Sequence, residues 1–281
     1  MIRNITIAVV IIFFAGCSST VDPGPVNGYP AIQGNTWNYN ALASLTNFRP
    51  LQTGASFRDT SITWRSIVRA EGRDTLLDSI ATLKFTARDT GATNSSGVQH
   101  YIVHGDTLLL FAYYNPSLAL PKQGSGLRYT LAGRQFPSLE GLMQTMSEGM
   151  ISVDTLWVEL NPPPVLIFPL TVGREWQYRH TPFIINKKIA GTENVSTAMG
   201  DIACYKIQWT WDINSDGKPD SLLTGTDYVN NKGLIKRTFI LNNVAISMGE
   251  NPDPIGTVDL KNEWVVSSFE GALYPKFSGY R

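Results

Sequence analysis

"SITWRSIVRAEGRDTLLDSIATLKFTA", residues 61–87, alternates apolar and polar side chains in two runs with a turn-forming cluster between them. Ile62, Trp64, Val68 and Ala70 share one face of the first run, and Leu77, Ala81, Leu83 and Phe85 share one face of the second. A period of two marks a strand buried on one side, because successive side chains point to opposite faces. "EGRD" at 71–74 offers the glycine and polar residues of a tight turn, so the stretch predicts an antiparallel hairpin.

The same pattern extends in both directions. "VQHYIVHGDTLLLFAYY" (98–114) predicts a hairpin turning at Gly105-Asp106. "SVDTLWVEL" (152–160), "CYKIQWTWD" (204–212), "GLIKRTFIL" (233–241) and "NEWVVSSFE" (262–270) predict further strands. Strands that follow one another through short turns favour antiparallel meanders over crossover units. The expected fold is all-β and mostly antiparallel. It would form one or two strongly curved sheets, half-barrel or sandwich-like, with one short amphipathic helix.

That helix is read from "FPSLEGLMQTMSEGM" (136–150), where Leu139, Leu142, Met143, Met146 and Met150 recur at helical spacing and Gly149 is a stop. Two readings of this stripe stand side by side. It is a connector packed into the core at one end of a sheet, or a Met-rich lid over an apolar groove, since flexible thioethers suit adaptable surfaces. The five residues are therefore candidate ligand contacts.

A repeat organises the chain. "YPAIQGNTWNY" (29–39) returns as "FPLTVGREWQY" (168–178), with Pro30, Gly34, Trp37 and Tyr39 matching Pro169, Gly173, Trp176 and Tyr178. Gly permits the turn, and Trp-x-Tyr opens a strand with both rings on one face. Two β modules are expected, 29–160 and 161–281, either separate or joined in one continuous domain. "NPPPV" (161–165) reads as a stiff linker or crossover between them.

The N-terminus sets the address. Met1–Arg3 are a short positive head, and Ile5–Phe14 form an apolar run too short for a spanning helix, which needs about 20 residues. Ala15, Gly16 and Cys17 follow, the order of a secretory signal peptide ending in small residues. "FFAGC" resembles the lipobox of bacterial lipoproteins, cut before a cysteine that carries diacylglycerol. That resemblance implies a signal peptide over 1–16, lipidation at Cys17, and a Pro/Gly-rich tether over 17–28. Ser18 stands where the inner-membrane retention signal has Asp, which implies the outer membrane, on its periplasmic face. The expected partners are the membrane, reached through the N-terminal lipid, and an apolar ligand or envelope protein.

Acidic and basic residues balance at 23 each, so charge gives no reason to expect nucleic acid. With Cys17 lipidated, Cys204 has no partner within the chain and is expected as a buried inert thiol. His100 and His104 lie four apart on a predicted strand, about 13 Å, too far to share a metal. They are expected at the surface or in a turn. No nucleophile-elbow, zincin, phosphate-loop or dinucleotide motif occurs, and a non-enzymatic role is expected.

"DINSDGKPD" (212–220) carries the one spacing with metal chemistry. Asp212, Asn214 and Asp216 alternate oxygen ligands, Gly217 allows the sharp turn, and Asp220 takes the ninth place of a calcium loop. Leu223 stands at the twelfth, where a bidentate Glu belongs, and strands rather than helices flank it. Calcium binding and a solvated Asp/Asn/Gly hairpin turn are both open.

Taken together, the lipobox, the "PLTVGREWQY" motif, "GDIACYKIQW" and "NNKGLIKRTF" resemble a loose group of uncharacterised Gram-negative envelope lipoproteins with a PLxxGxxWxY motif. More distantly, a curved sheet with a helical plug is similar to the lipid-binding half-barrels of the LolA and LppX type. The expected function is binding of an apolar ligand or partner in the concavity of the sheet. The alternatives are an assembly lipoprotein of an outer-membrane complex and a carbohydrate-binding surface protein.

Overall fold

The computed structural model describes residues 21–91, 96–115, 126–136, 139–148, 153–181, 183–249, 251 and 253–272. Its strands are β1 (Thr36–Pro50), β2 (Thr60–Leu76), β3 (Ile80–Gly91), β4 (Ser96–His104), β5 (Thr107–Asn115), β6 (Leu127–Leu131) and β7 (Arg134–Phe136). After helix α1 (Leu139–Glu148) come β8 (Val153–Val158), β9 (Pro164–Ile167), β10 (Glu175–Arg179), β11 (Ile184–Thr197) and β12 (Gly200–Asp212). β13 (Leu223–Asn230), β14 (Gly233–Met248) and β15 (Gly256–Glu270) complete the set. The fold is all-β, and every strand pairing is antiparallel.

The hairpin of residues 61–87 forms, but its turn lies elsewhere. β2 runs straight through "EGRD", and the chain reverses at Leu77–Ser79, with Leu77 and Asp78 at φ 49° and 61°. Gly72, at φ 95°, is instead part of a bulge where the register with β3 shifts between Ala70 and Gly72. A bulge and a turn use the same glycine chemistry. Leu77, placed on the buried face by sequence, is exposed at the tip. The second hairpin turns at Gly105-Asp106 as expected.

Both copies of the repeated motif fold alike. The Asn35 N–H donates to the Ile32 carbonyl (3.0 Å), and the Arg174 N–H to the Thr171 carbonyl (3.1 Å). Gly34 and Gly173, each third in its turn, share φ 91°, which a type II turn requires. Gly34 then donates to Ala70 and Gly173 to Ile189, each at 2.8 Å, and each acceptor immediately precedes a bulge in the next strand. The indole of Trp37 donates to the Lys232 carbonyl and that of Trp176 to the Pro164 carbonyl, so both buried rings have their N–H satisfied.

Each motif opens a meander, β1 to β5 and β10 to β14, and β15 joins them by pairing with β14 on one side and β1 on the other. The sheet thus runs β10-β11-β12-β13-β14-β15-β1-β2-β3-β4-β5-β8 without a break. "NPPPV" does not leave it. β8 and β9 both pair with β5, and between them the Leu110 N–H still reaches the Pro163 carbonyl (3.1 Å). Proline is tolerated there because this is the edge, where one side of the strand needs no donor.

The sheet curves but does not close into a barrel. Its far ends approach through side chains: Trp176 to Pro164, the Lys187 ammonium to the Val165 carbonyl (3.2 Å), and an Arg179–Glu159 ion pair (2.9 Å). α1 fills the hollow at one end, packed with Tyr129, Leu131 and Phe136 against Trp209, Trp211 and Phe239.

Candidate ligand-binding site

The helical stripe, read as a packed connector or a lid over a groove, lies in the core. Leu139, Leu142, Met143 and Met146 are buried in the main core, Leu142 and Met146 at 0% and 1% exposure. The Trp211 indole donates to the Met146 carbonyl (3.0 Å), and the Asn262 amide meets the Met143 sulfur at 3.8 Å. These side chains fill the hollow of a strongly curved sheet. The lid reading gives way to the packed connector. Met150 and Cys17 lie outside the described residues.

In the 212–220 loop the carboxylates serve the backbone. Asp212 accepts from the N–H groups of Asp216 (3.1 Å) and Gly217 (2.9 Å), and Asp220 accepts from Ile213 (2.8 Å). The Asn214 amide donates to Asp216 (3.2 Å), while Leu223 is buried at the start of β13. Among the described residues no cluster of three or more His, Cys, Asp or Glu side chains could hold a metal ion. The arrangement is that of an Asx-rich turn.

Cys204 is fully buried, its Sγ facing the Ile202 carbonyl at 3.4 Å, and burial pushes its thiol up to about 12. His100 departs from the expected surface position. It is buried, with Nδ1 3.1 Å from the Thr82 hydroxyl. Of the seven tryptophans five are buried, so most indole faces are not available for sugar stacking.

An open pocket of about 530 Å³ lies on the β2–β5 side of the sheet, between the two copies of the motif. Leu83, Tyr101 and Leu108, from β3, β4 and β5, form its apolar base. Tyr29 and Ala31 come from the first motif, and Phe168 and Pro169 from the second. Tyr29 and Phe168 are equivalent residues of the repeat, each directly before its proline.

Local bonds set these walls. Val26 is buried and its carbonyl accepts from the Leu170 N–H (3.1 Å), tying the first segment to the second. The Phe168 N–H donates to the Asp106 carbonyl (2.8 Å), and the Arg174 guanidinium to the Phe168 carbonyl (3.0 Å). Behind the pocket, Tyr29 and Tyr101 pack on Phe85 at centroid distances of 5.9 and 5.5 Å, both edge-on. Burial pushes the Tyr29 phenol up to about 12, so it stays neutral. The Tyr101 hydroxyl is engaged by Gln99 (2.7 Å). The polar lining comprises the exposed residues Asn27, Arg73 and Asp106 and the buried Thr82, whose hydroxyl is held by His100.

Sequence reasoning put the ligand under the helix and so missed this pocket. The usable signal was the pair Tyr29 and Phe168, large rings repeated at positions outside any strand.

No protein-family model and no curated protein matches this chain. Among solved structures it is similar to a "putative exported protein with YmcC-like fold" from Bacteroides fragilis. That match has 12% identity and a TM-score of 0.41, covering 86% of this chain and 98% of the other. It is also similar to a "putative lipoprotein" from Parabacteroides distasonis, at 11% identity and a TM-score of 0.34, covering 86% and 97%. Likeness this loose carries no functional information.

Proposed function

We propose that this chain is a lipid-anchored envelope protein that binds an apolar small molecule between its two motif copies, without catalysing a reaction on it. The observation that carries the reading is the 530 Å³ pocket. That volume lies within the range of small-molecule sites, roughly 300–1,000 Å³, which are mostly apolar with a few polar groups to orient the ligand. The lipobox-like "FFAGC" supports the anchor, and Ser18 after it supports the outer membrane as its location.

Mass spectrometry of small molecules co-purified with the detergent-extracted protein is the test. An apolar species should be retained by the native protein and lost from Leu83→Trp, whose indole would occupy the base of the pocket. Retention undiminished by Leu83→Trp in a folded variant would sink the reading. For the anchor, Cys17→Ala should leave an unprocessed precursor. Normal cleavage and soluble release of that variant would exclude lipidation.

A second reading, assembly of an envelope complex through a sheet edge, is favoured by β8. It ends the strand order, and Leu156 and Trp157 on it are exposed. Edge strands of this kind accept an added strand from a partner. Trp157→Lys should then release a co-purifying protein while leaving the melting temperature unchanged.

A further inference from the structure

Resting on the pocket reading above, we infer that the occupant is a single acyl chain of a bilayer lipid, taken from the membrane that the tether holds nearby. Three observations converge on it: the size of the pocket, the distribution of polar atoms around it, and the origin of its wall.

The size admits one chain. An apolar cavity of about 150 Å³ takes benzene. The pocket's 530 Å³ is between three and four times that, room for on the order of twenty carbon atoms by the same measure. A second long chain would not fit beside the first.

Polar chemistry is placed for a chain rather than for a compact polar ligand. Leu108 and Phe168 are buried and apolar, and Leu83, Tyr29 and Tyr101 are half-buried beside them. The hydroxyl of Thr82, the buried polar residue of the lining, is already engaged by the Asp74 carbonyl and His100. Charge occurs only toward solvent, where Arg73 and Asp106 are exposed on different elements, β2 and the β4–β5 turn. A ligand with an apolar body and a polar end satisfies both regions. A ligand polar throughout would leave its own donors and acceptors unmet inside, which is costly.

The wall comes from the segment that continues the tether. Asn27 lines the pocket ten positions after Cys17, and ten residues span at most roughly 33–36 Å. The segment cannot swing away freely, because Val26 is buried and the Gly24 carbonyl accepts from the Tyr205 hydroxyl (3.3 Å). An anchored molecule therefore keeps this pocket within a bilayer thickness of the lipid surface. A short connection of this kind raises the effective concentration of lipid at the pocket to about the millimolar range.

Saturated fatty acids of increasing length, titrated against the full mature protein in detergent by displacement of a fluorescent fatty acid, test the chain. Affinity should rise about fourfold per added methylene and then level off once the pocket is full. Leu83→Trp should move that plateau to shorter chains. Val103→Trp, at the exposed margin, gives the same readout if the first variant fails to fold. An affinity independent of chain length, with a rigid aromatic probe bound and displaced by these substitutions, would overturn the acyl inference while sparing the pocket. If neither probe bound, both readings would fall.

The source is tested with photoactivatable lysophospholipid in phosphatidylethanolamine–phosphatidylglycerol vesicles. Anchored protein should crosslink through peptides containing Leu83, Tyr101 or Phe168, at least tenfold more than an unlipidated chain that begins at Ser18. Equal labelling of the two would overturn the membrane origin.

Discussion

His100 illustrates how one buried side chain sets a pH limit. Burial holds its imidazole below the usual range, and although the nearby Asp74 carboxylate pulls the other way, burial is the larger effect. The folded protein therefore binds fewer protons at this site than the unfolded chain, whose histidine titrates near 6.5. Stability rises with pH wherever the unfolded state holds more protons. The contribution is complete above about pH 6.5 and declines as pH falls through that value toward the folded-state pKa. Urea midpoints at pH 7.5 and 5.5 should differ for the native protein and differ less for His100→Gln. An unchanged difference would assign the pH dependence to other groups. Nothing in "HYIVH" announces this role. Alternation says which face a residue is on, but what covers that face comes from distant parts of the chain.

At the scale of elements, α1 and the 212–220 loop show which predictions sequence supports. The helix was legible because five apolar residues keep one period. Whether that stripe met solvent or core depended on how tightly a sheet of many strands curls around it, which local pattern does not encode. Met146→Ala should cost about 2–5 kcal/mol, and Met146→Asp should prevent stable folding, both read by denaturant melts. A Met146→Asp protein as stable as the native one would restore the lid. In the loop, Asp212→Ala removes the acceptor for two backbone N–H groups. It should cost about 1–3 kcal/mol, with Asp212→Asn costing less. Millimolar calcium should leave the melting temperature where it was, because these carboxylates are turned to the backbone. A rise of several degrees with calcium but not magnesium would reinstate a metal loop. "EGRD" teaches the same lesson as the helix: its glycine was visible, but turn and bulge differ only in whether the ladder continues beyond it.

For the whole molecule, the consequential feature is the place of β15. Thr36 pairs with Glu270, 234 positions away (270 − 36), and this seam lies in the middle of the sheet rather than at its border. Within each meander, β1 to β5 and β10 to β14, neighbouring strands meet through short connections and can form early. The seam must wait for β15, and pairings of such long range fold slowly. Until then β1 and β14 each carry an open ladder, the kind of edge that recruits other chains. A nascent molecule is thus two adhesive half-sheets awaiting one late strand. A chain ended before Gly256 should appear in aggregates rather than as a soluble half. The order of synthesis, more than any single contact, decides when this protein becomes safe to have around its neighbours.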